Sequence, residues 1–470
     1  MADIQVKQES SNSIKFSQVL EAGADQRVDL YFSLPQDLGI NPKSLNEEDY
    51  HHSAVLGRRS YFSQGLHLPL VQGRFTSFKK QSLEDYRIYL NLFAYQFAVA
   101  IETDSKELAR LSDPELFYPS LQEQLGLLAA MLKKFRRSSP ADPKWQSYFE
   151  NADNYLSWFC EQAILKLLSH SPRTSEFAEC KELALAFCRE ESSYREVNRY
   201  NSAQTVNDPN RISNKMLLLR RLLQQGVVLK QEQRSLGKGL KKLTTGVATA
   251  LVMMVVYSMV FQAQGMLSGL TMALVVVLAI IYGFREIFKD DIRDAIWRRI
   301  QRGRPRWSRI LRDTVSQSVI AKQRIWLDFV TSKDMPDTVK EILQRRHSQN
   351  KVESETLHYA VHAKVSKTGF LAGYHRIQES INFNLVPFLR HLERSNIKVY
   401  REQDGNVSSD SAERRYQINV VVSLRKGKQA PSYARYKLTV NRSGIVELTQ
   451  SSLPENILAI NSELEAPDSH

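Results

Sequence analysis

Cysteine is scarce, with three residues in 470, Cys160, Cys180 and Cys188. None forms a CxxC pair, which excludes a cysteine-built zinc or redox site and a disulfide framework. Each lies among apolar helix formers, the setting of buried, reduced thiols. Histidine is also sparse, ten in all, and none has a catalytic neighbour pattern. His51 and His52 are adjacent, so their rings diverge on any regular element. His358 and His362 share a strand face but would stand roughly 13 Å apart at strand rise, too far for one metal ion. Gly237-Lys238-Gly239 lacks the GxxxxGK[ST] spacing of a phosphate loop. Met1 to Asn12 is polar and mixed in charge, without the apolar core of a secretion signal. No catalytic residue and no cofactor or metal site can be named.

The most informative absence is of charge. Between Lys242 and Arg285 there is no Asp, Glu, Lys, Arg or His. Leu243 to Phe261 and Met266 to Phe284 are each long enough, at roughly 28 Å as a helix, to span a bilayer. The polar break Gln262-Ala263-Gln264-Gly265 predicts a tight turn between them. The reading is a two-helix transmembrane hairpin over 243–284, with spans 243–261 and 266–284. Gly265 and Gly269 have the GxxxG spacing that lets helices approach closely, against each other or a second copy. The lack of ionisable groups argues against an ion path.

The chain carries a net charge of +13, and the charge is concentrated beside the hairpin. From Arg211 to Lys242 the balance is +8, and from Arg285 to Arg312 it is +6, leaving the remainder at −1. Basic residues beside a span stay cytoplasmic, and a hairpin returns both ends to one side. Both termini are therefore expected in the cytoplasm, and with no secretion signal the expected compartment is a bacterial inner membrane. Residues 211–242 read as a basic juxtamembrane helix. Residues 285–314 read as a basic amphipathic helix, broken at Gly303 and Pro305, with Arg293, Arg298, Arg299 and Arg302 off its apolar stripe. That pattern predicts contact with anionic lipid headgroups. The position beside a bilayer favours lipid phosphate over nucleic acid.

The fold class expected is an α+β membrane protein. Residues 1–210 read as an N-terminal α+β domain, mainly helical after 119. Strands are expected within 13–33, extended chain over 66–78, a helix over 86–102 and a linker over 192–214. Residues 315–455 alternate with period two, most clearly from Tyr416 to Leu424 and from Ala434 to Val440, with a turn at 441–444. They predict an antiparallel domain able to fold by itself, followed by a tail, 456–470. The functional expectation is a membrane-anchored cytoplasmic adaptor or regulatory protein that binds anionic bilayers and a protein partner or a second copy. A membrane-bound enzyme with its site between the two cytoplasmic domains, and a pore-forming oligomer, are the alternatives.

Overall fold

The computed structural model describes residues 4–457 apart from 43, 63–64, 74–82, 173–175, 267–271, 302, 315, 345–353, 372–373, 391, 393–395, 404–405 and 455–456. The protein is α+β, and among the described residues its strands pair antiparallel throughout the sheets.

Strands β1 (Ile4–Ser10), β2 (Ser13–Glu21) and β3 (Asp25–Pro35) open the chain, followed by α1 (Glu47–Ala54) and β4 (Val55–Tyr61). A helical unit comes next: α2 (Leu68–Gly73), α3 (Leu83–Leu108), α4 (Pro114–Arg137), α5 (Pro143–Ser169), α6 (Ala178–Val197), α7 (Ala203–Val206) and α8 (Pro209–Leu223). Strand β5 (Lys230–Ser235) leads into α9 (Lys238–Met266) and α10 (Met272–Gln301), and β6 (Trp307–Arg312) leaves them. The rest is β7 (Val319–Val330), α11 (Asp337–Gln344), β8 (Ser354–Val365), β9 (Arg376–Asn384), α12 (Val386–Leu389), and β10 to β14 (Asn396–Gln403, Asn406–Glu413, Tyr416–Lys426, Ser432–Asn441, Gly444–Ser451).

Eight strands form one sheet in the order β14-β13-β12-β3-β8-β7-β6-β5, and four form a second in the order β1-β2-β9-β4. Phe16 and Phe383 of the small sheet meet Phe32 of the large one edge-on or tilted. Around them Ile14, Leu30, Tyr359, Ile381, Ile418 and Val420 are buried in one core. Alternation places these residues inward and their neighbours outward.

This pairing redraws the expected domain boundaries. Strand β3 lies between β8 and β12, with Leu30 opposite both Tyr359 and Val422. Strand β9 lies between β2 and β4. Residues from both ends of the chain therefore build one sandwich, and 315–455 is not a sheet of its own. The helical unit and the α9–α10 pair are two insertions into that sandwich.

Within the helical unit, α4, α5 and α8 begin with the same dipeptide. Asp113, Asp142 and Asp208 accept the backbone N–H two residues on, and Pro114, Pro143 and Pro209 follow at the first helical position. An acceptor satisfies an orphan donor there, and proline gives up no bond. Tyr118, Leu128, Phe135, Leu156 and Cys160 fill the unit's core, and all three cysteines are buried and free. Three expectations change. Residues 68–73 are helical rather than extended. The 192–214 linker is the end of α6, all of α7 and the start of α8. The 211–242 helix is α8, then strand β5, then the first turn of α9.

Candidate functional site

The α9–α10 pair leaves the sheet between two neighbouring strands. Ser235 of β5 pairs with Trp307 of β6, and the Leu236 N–H donates to the Arg306 carbonyl at 2.7 Å. Its return point is clamped. Trp326 Nε1 donates to the Gly303 carbonyl at 3.1 Å, and Arg306 reaches Asp328 with Nε at 2.9 Å and Nη2 at 2.5 Å. Arg306 also lies 3.6 Å from Glu47 of α1. Burial lifts the Asp328 carboxyl above its usual range, against the opposing pull of Arg306. Gly303 ends α10 with φ +71°, a conformation open to glycine without Cβ cost. The break expected at Gly303 and Pro305 is where α10 ends.

Along the pair, α9 turns Thr244, Ala248, Val252 and Val256 inward, and Val252 and Val256 cluster with Ile281 of α10. Trp297 lies against Gly237 and under the Lys241 ammonium. The expected turn at 262–265 is helical, because α9 runs on to Met266. Nothing in Gln-Ala-Gln-Gly forbids a helix before its end. The helices are thereby out of step. The apolar start of α9 stands level with the charged stretch of α10 that follows Arg285. The expected separate amphipathic helix over 285–314 is instead the continuation of α10 to Gln301, then β6.

Of the residues singled out for lipid contact, Arg293 pairs within its own helix, with Asp290 at 2.8 Å and Asp294 at 3.0 Å. Arg299 is exposed on α10, Arg298 lies on the same helix, and Arg302 falls outside the described residues. Of the helix-packing pair, Gly265 is in the last turn of α9, and Gly269 lies outside the described residues.

A second feature joins distant parts of the sequence. Between the sheets, Glu379 of β9 is fully buried and accepts from Arg59 Nε of β4 at 2.7 Å, Gln323 Nε2 of β7 at 2.9 Å and Gln18 Nε2 of β2 at 2.7 Å. Gln26 of β3 donates in turn to Gln18 at 2.8 Å. Arg309 of β6, also buried, donates to Gln233 at 2.6 Å. Burial alone would raise the Glu379 carboxyl, but the Arg59 charge, the Gln323 bond and the Arg309 charge hold it below the usual range. Burial, then the neighbouring Arg59 charge, push Arg309 down to about 10. His51 of α1 stacks on Trp307 at 3.8 Å between ring centroids. Burial, with the charges of Arg309, His52 and Arg59, pushes it down to about 3, so its ring is neutral.

This polar seam fastens seven strands across the sandwich. A carboxylate held ionised by three donors is a poor general acid, and its complete burial keeps it from reaching a substrate as a base. At the mouth of the seam a cleft of about 390 Å³ is bordered by Gln18, Gln26, Asp25, Arg376 and Lys426. It mixes charges of both signs, and its one hydroxyl, Ser17, bonds the Ser380 hydroxyl at 3.0 Å. Elsewhere, His67, Asp104 and Glu107 place donor atoms within 4.8 Å of one another. Asp104 there accepts from His67 Nδ1 at 2.7 Å and from the Leu68 N–H at 3.0 Å, which fixes the start of α2. His358 and His362 bond Asp29 and Asp25 on the outer sheet face.

Compared with known proteins, the chain matches no family model, no curated protein and no solved structure.

Proposed function

We propose that the chain is a membrane-anchored cytoplasmic adaptor or regulatory protein, held in a bilayer by the helical pair built from 243–284. The observation that carries this reading is the exposure of α9. Gly239–Ala263 is the one stretch among the described residues that is long and apolar enough to cross a membrane, and only 22% of its most apolar window is buried. A core helix of a soluble protein would be mostly buried, and a secretion signal would stand near the N-terminus; this helix does neither. Met254 and Phe261 are about 70% exposed, at 70% and 72%, and only lipid or protein removes such surface from water. The adjacent exits at Leu236 and Arg306 require the inserted segment to return to where it began. With basic flanks on both sides, that favours one cytoplasmic face for the sandwich and the helical unit, in a bacterial inner membrane. The same reading keeps Arg293, Arg298, Arg299 and Arg302 as headgroup contacts and Gly265 and Gly269 as a packing point for the pair or a second copy.

The test exploits the paired exits. A variant in which a short glycine-rich turn joins Leu236 directly to Arg306 lacks both helices but keeps the β5–β6 register. Alkaline carbonate washing of membranes is expected to leave the full chain in the pellet and to release the shortened chain, folded, to the supernatant. Release of both would remove the anchor from the account.

A further inference from the structure

The outer face of the eight-stranded sheet carries a row of cations. Register places Arg234 opposite Ser308, Ser308 opposite Arg324, Arg324 opposite His362, His362 opposite Arg27 and Arg27 opposite Arg425. Six adjacent strands thus contribute one line of side chains, roughly 24 Å long at sheet spacing. The next row adds Lys322 opposite Lys364. Arg27 is matched by Asp29, and Lys364 and His362 by Asp25. Arg234, Lys322, Arg324 and Arg425 are exposed and have no acidic partner among the described residues. Four unmatched cations on this face, beside the part that α11 covers through Tyr31 and Val421, repel one another unless an anionic surface faces them.

We propose that this face rests on anionic phospholipid headgroups, so that the sheet as well as the hairpin touches the membrane. The inference rests on the anchoring proposed above. Two observations choose lipid as the occupant. The row starts one residue pair from the exit of the hairpin, since Arg234–Ser308 adjoins Ser235–Trp307, so a bilayer is its nearest extended anion. In addition, one of the four cations expected to serve lipid beside the hairpin, Arg293, shares its charge with Asp290 and Asp294, so the unmatched sheet cations extend the basic surface that Arg299 offers on α10. Row geometry also suits a two-dimensional array of phosphates, because the charges are spread rather than gathered into one pocket.

Lysine acylation of the full chain reconstituted in lipid nanodiscs tests this, with peptides around Lys322 and Lys364 read by mass spectrometry and Lys7, exposed on β1 of the other sheet, as an internal reference. With about 30 mol% phosphatidylglycerol, labelling of Lys322 and Lys364 is expected to fall at least about threefold relative to discs of phosphatidylcholine alone. Salt at about 1 M should restore it. The triple variant R234Q/R324Q/R425Q should lose the protection while resisting carbonate extraction as the full chain does. Equal labelling of Lys322 and Lys364 in the two kinds of disc overturns the proposal and leaves anchoring intact. A full chain that carbonate removes from membranes defeats the anchor, and this proposal with it.

Discussion

Arg59 donates from Nε to Oε1 of Glu379 at 2.7 Å, with the two side chains 1% and 0% exposed. The guanidinium lies over Gly57, where an added Cβ would come within 2.0 Å of Nη1. The pair is thus sealed between the sheets on a strand that has to be bare two residues before it. Breaking a buried pair strands a charge, which costs about 3–5 kcal/mol. Arg59→Met should therefore lower the apparent thermal midpoint of the solubilised chain strongly. Arg59→Met combined with Glu379→Leu should recover most of the loss, and Gly57→Ala should cost about 1–3 kcal/mol by overpacking. A double variant no better than Arg59→Met alone would mean that the seam contributes through something other than paired charge.

His51 gives the sandwich a distinct response to acid. Its ring is neutral and its folded value is about 3, against 6.5 in the unfolded chain. Between those values the unfolded state binds the extra proton, so stability falls as pH falls from 6.5 toward 3. Glu379 adds to the loss only below its unfolded value of 4.5, where its depressed carboxyl begins to matter. Between pH 6 and 5 the histidine can be read with little contribution from Glu379. His51→Phe should flatten the stability–pH slope there by up to about 1.4 kcal/mol per pH unit. Identical slopes for the two proteins would contradict a buried neutral ring.

The shared sheets make a strong statement about fragments. Residues 315–455 alone lack β3, so β8 and β12 would each present an unpaired apolar edge. Such edges invite aggregation. The fragment is expected to aggregate or to melt without a cooperative transition, and attaching residues 4–61 ahead of it should improve both. A monomeric 315–455 with a sharp melting transition would contradict the composite sandwich.

These three cases show what was legible beforehand. Period-two alternation marks β12 and β13 plainly, and the helical stripe from Tyr86 finds α3, because both signals are local. Partner choice is not local. Nothing in Val28-Asp-Leu-Tyr-Phe32 says that its neighbours lie more than three hundred residues away, so one sandwich reads as two domains. The start of α8 carried a signal, Asp208-Pro209, the same dipeptide that opens α4 and α5. The turn at 262–265 was misplaced because glutamine and alanine are good helix formers and one glycine near a helix end costs little. The seam was invisible for a further reason. Its arginines and glutamines sit on strands as isolated polar residues, and only the sheet order brings them to one carboxylate.

The central claim is that both flanks of the hairpin lie on one side of a membrane. Cysteines introduced singly as Asp208→Cys and Ser451→Cys report on it directly, since the three native thiols are buried. Labelling with a membrane-impermeant maleimide is compared between right-side-out and inverted vesicles of the expressing cells. Both cysteines should react in inverted vesicles and stay protected in right-side-out ones. If one reacts in inverted vesicles and the other only in right-side-out vesicles, the inserted segment crosses an odd number of times, and the hairpin account is wrong.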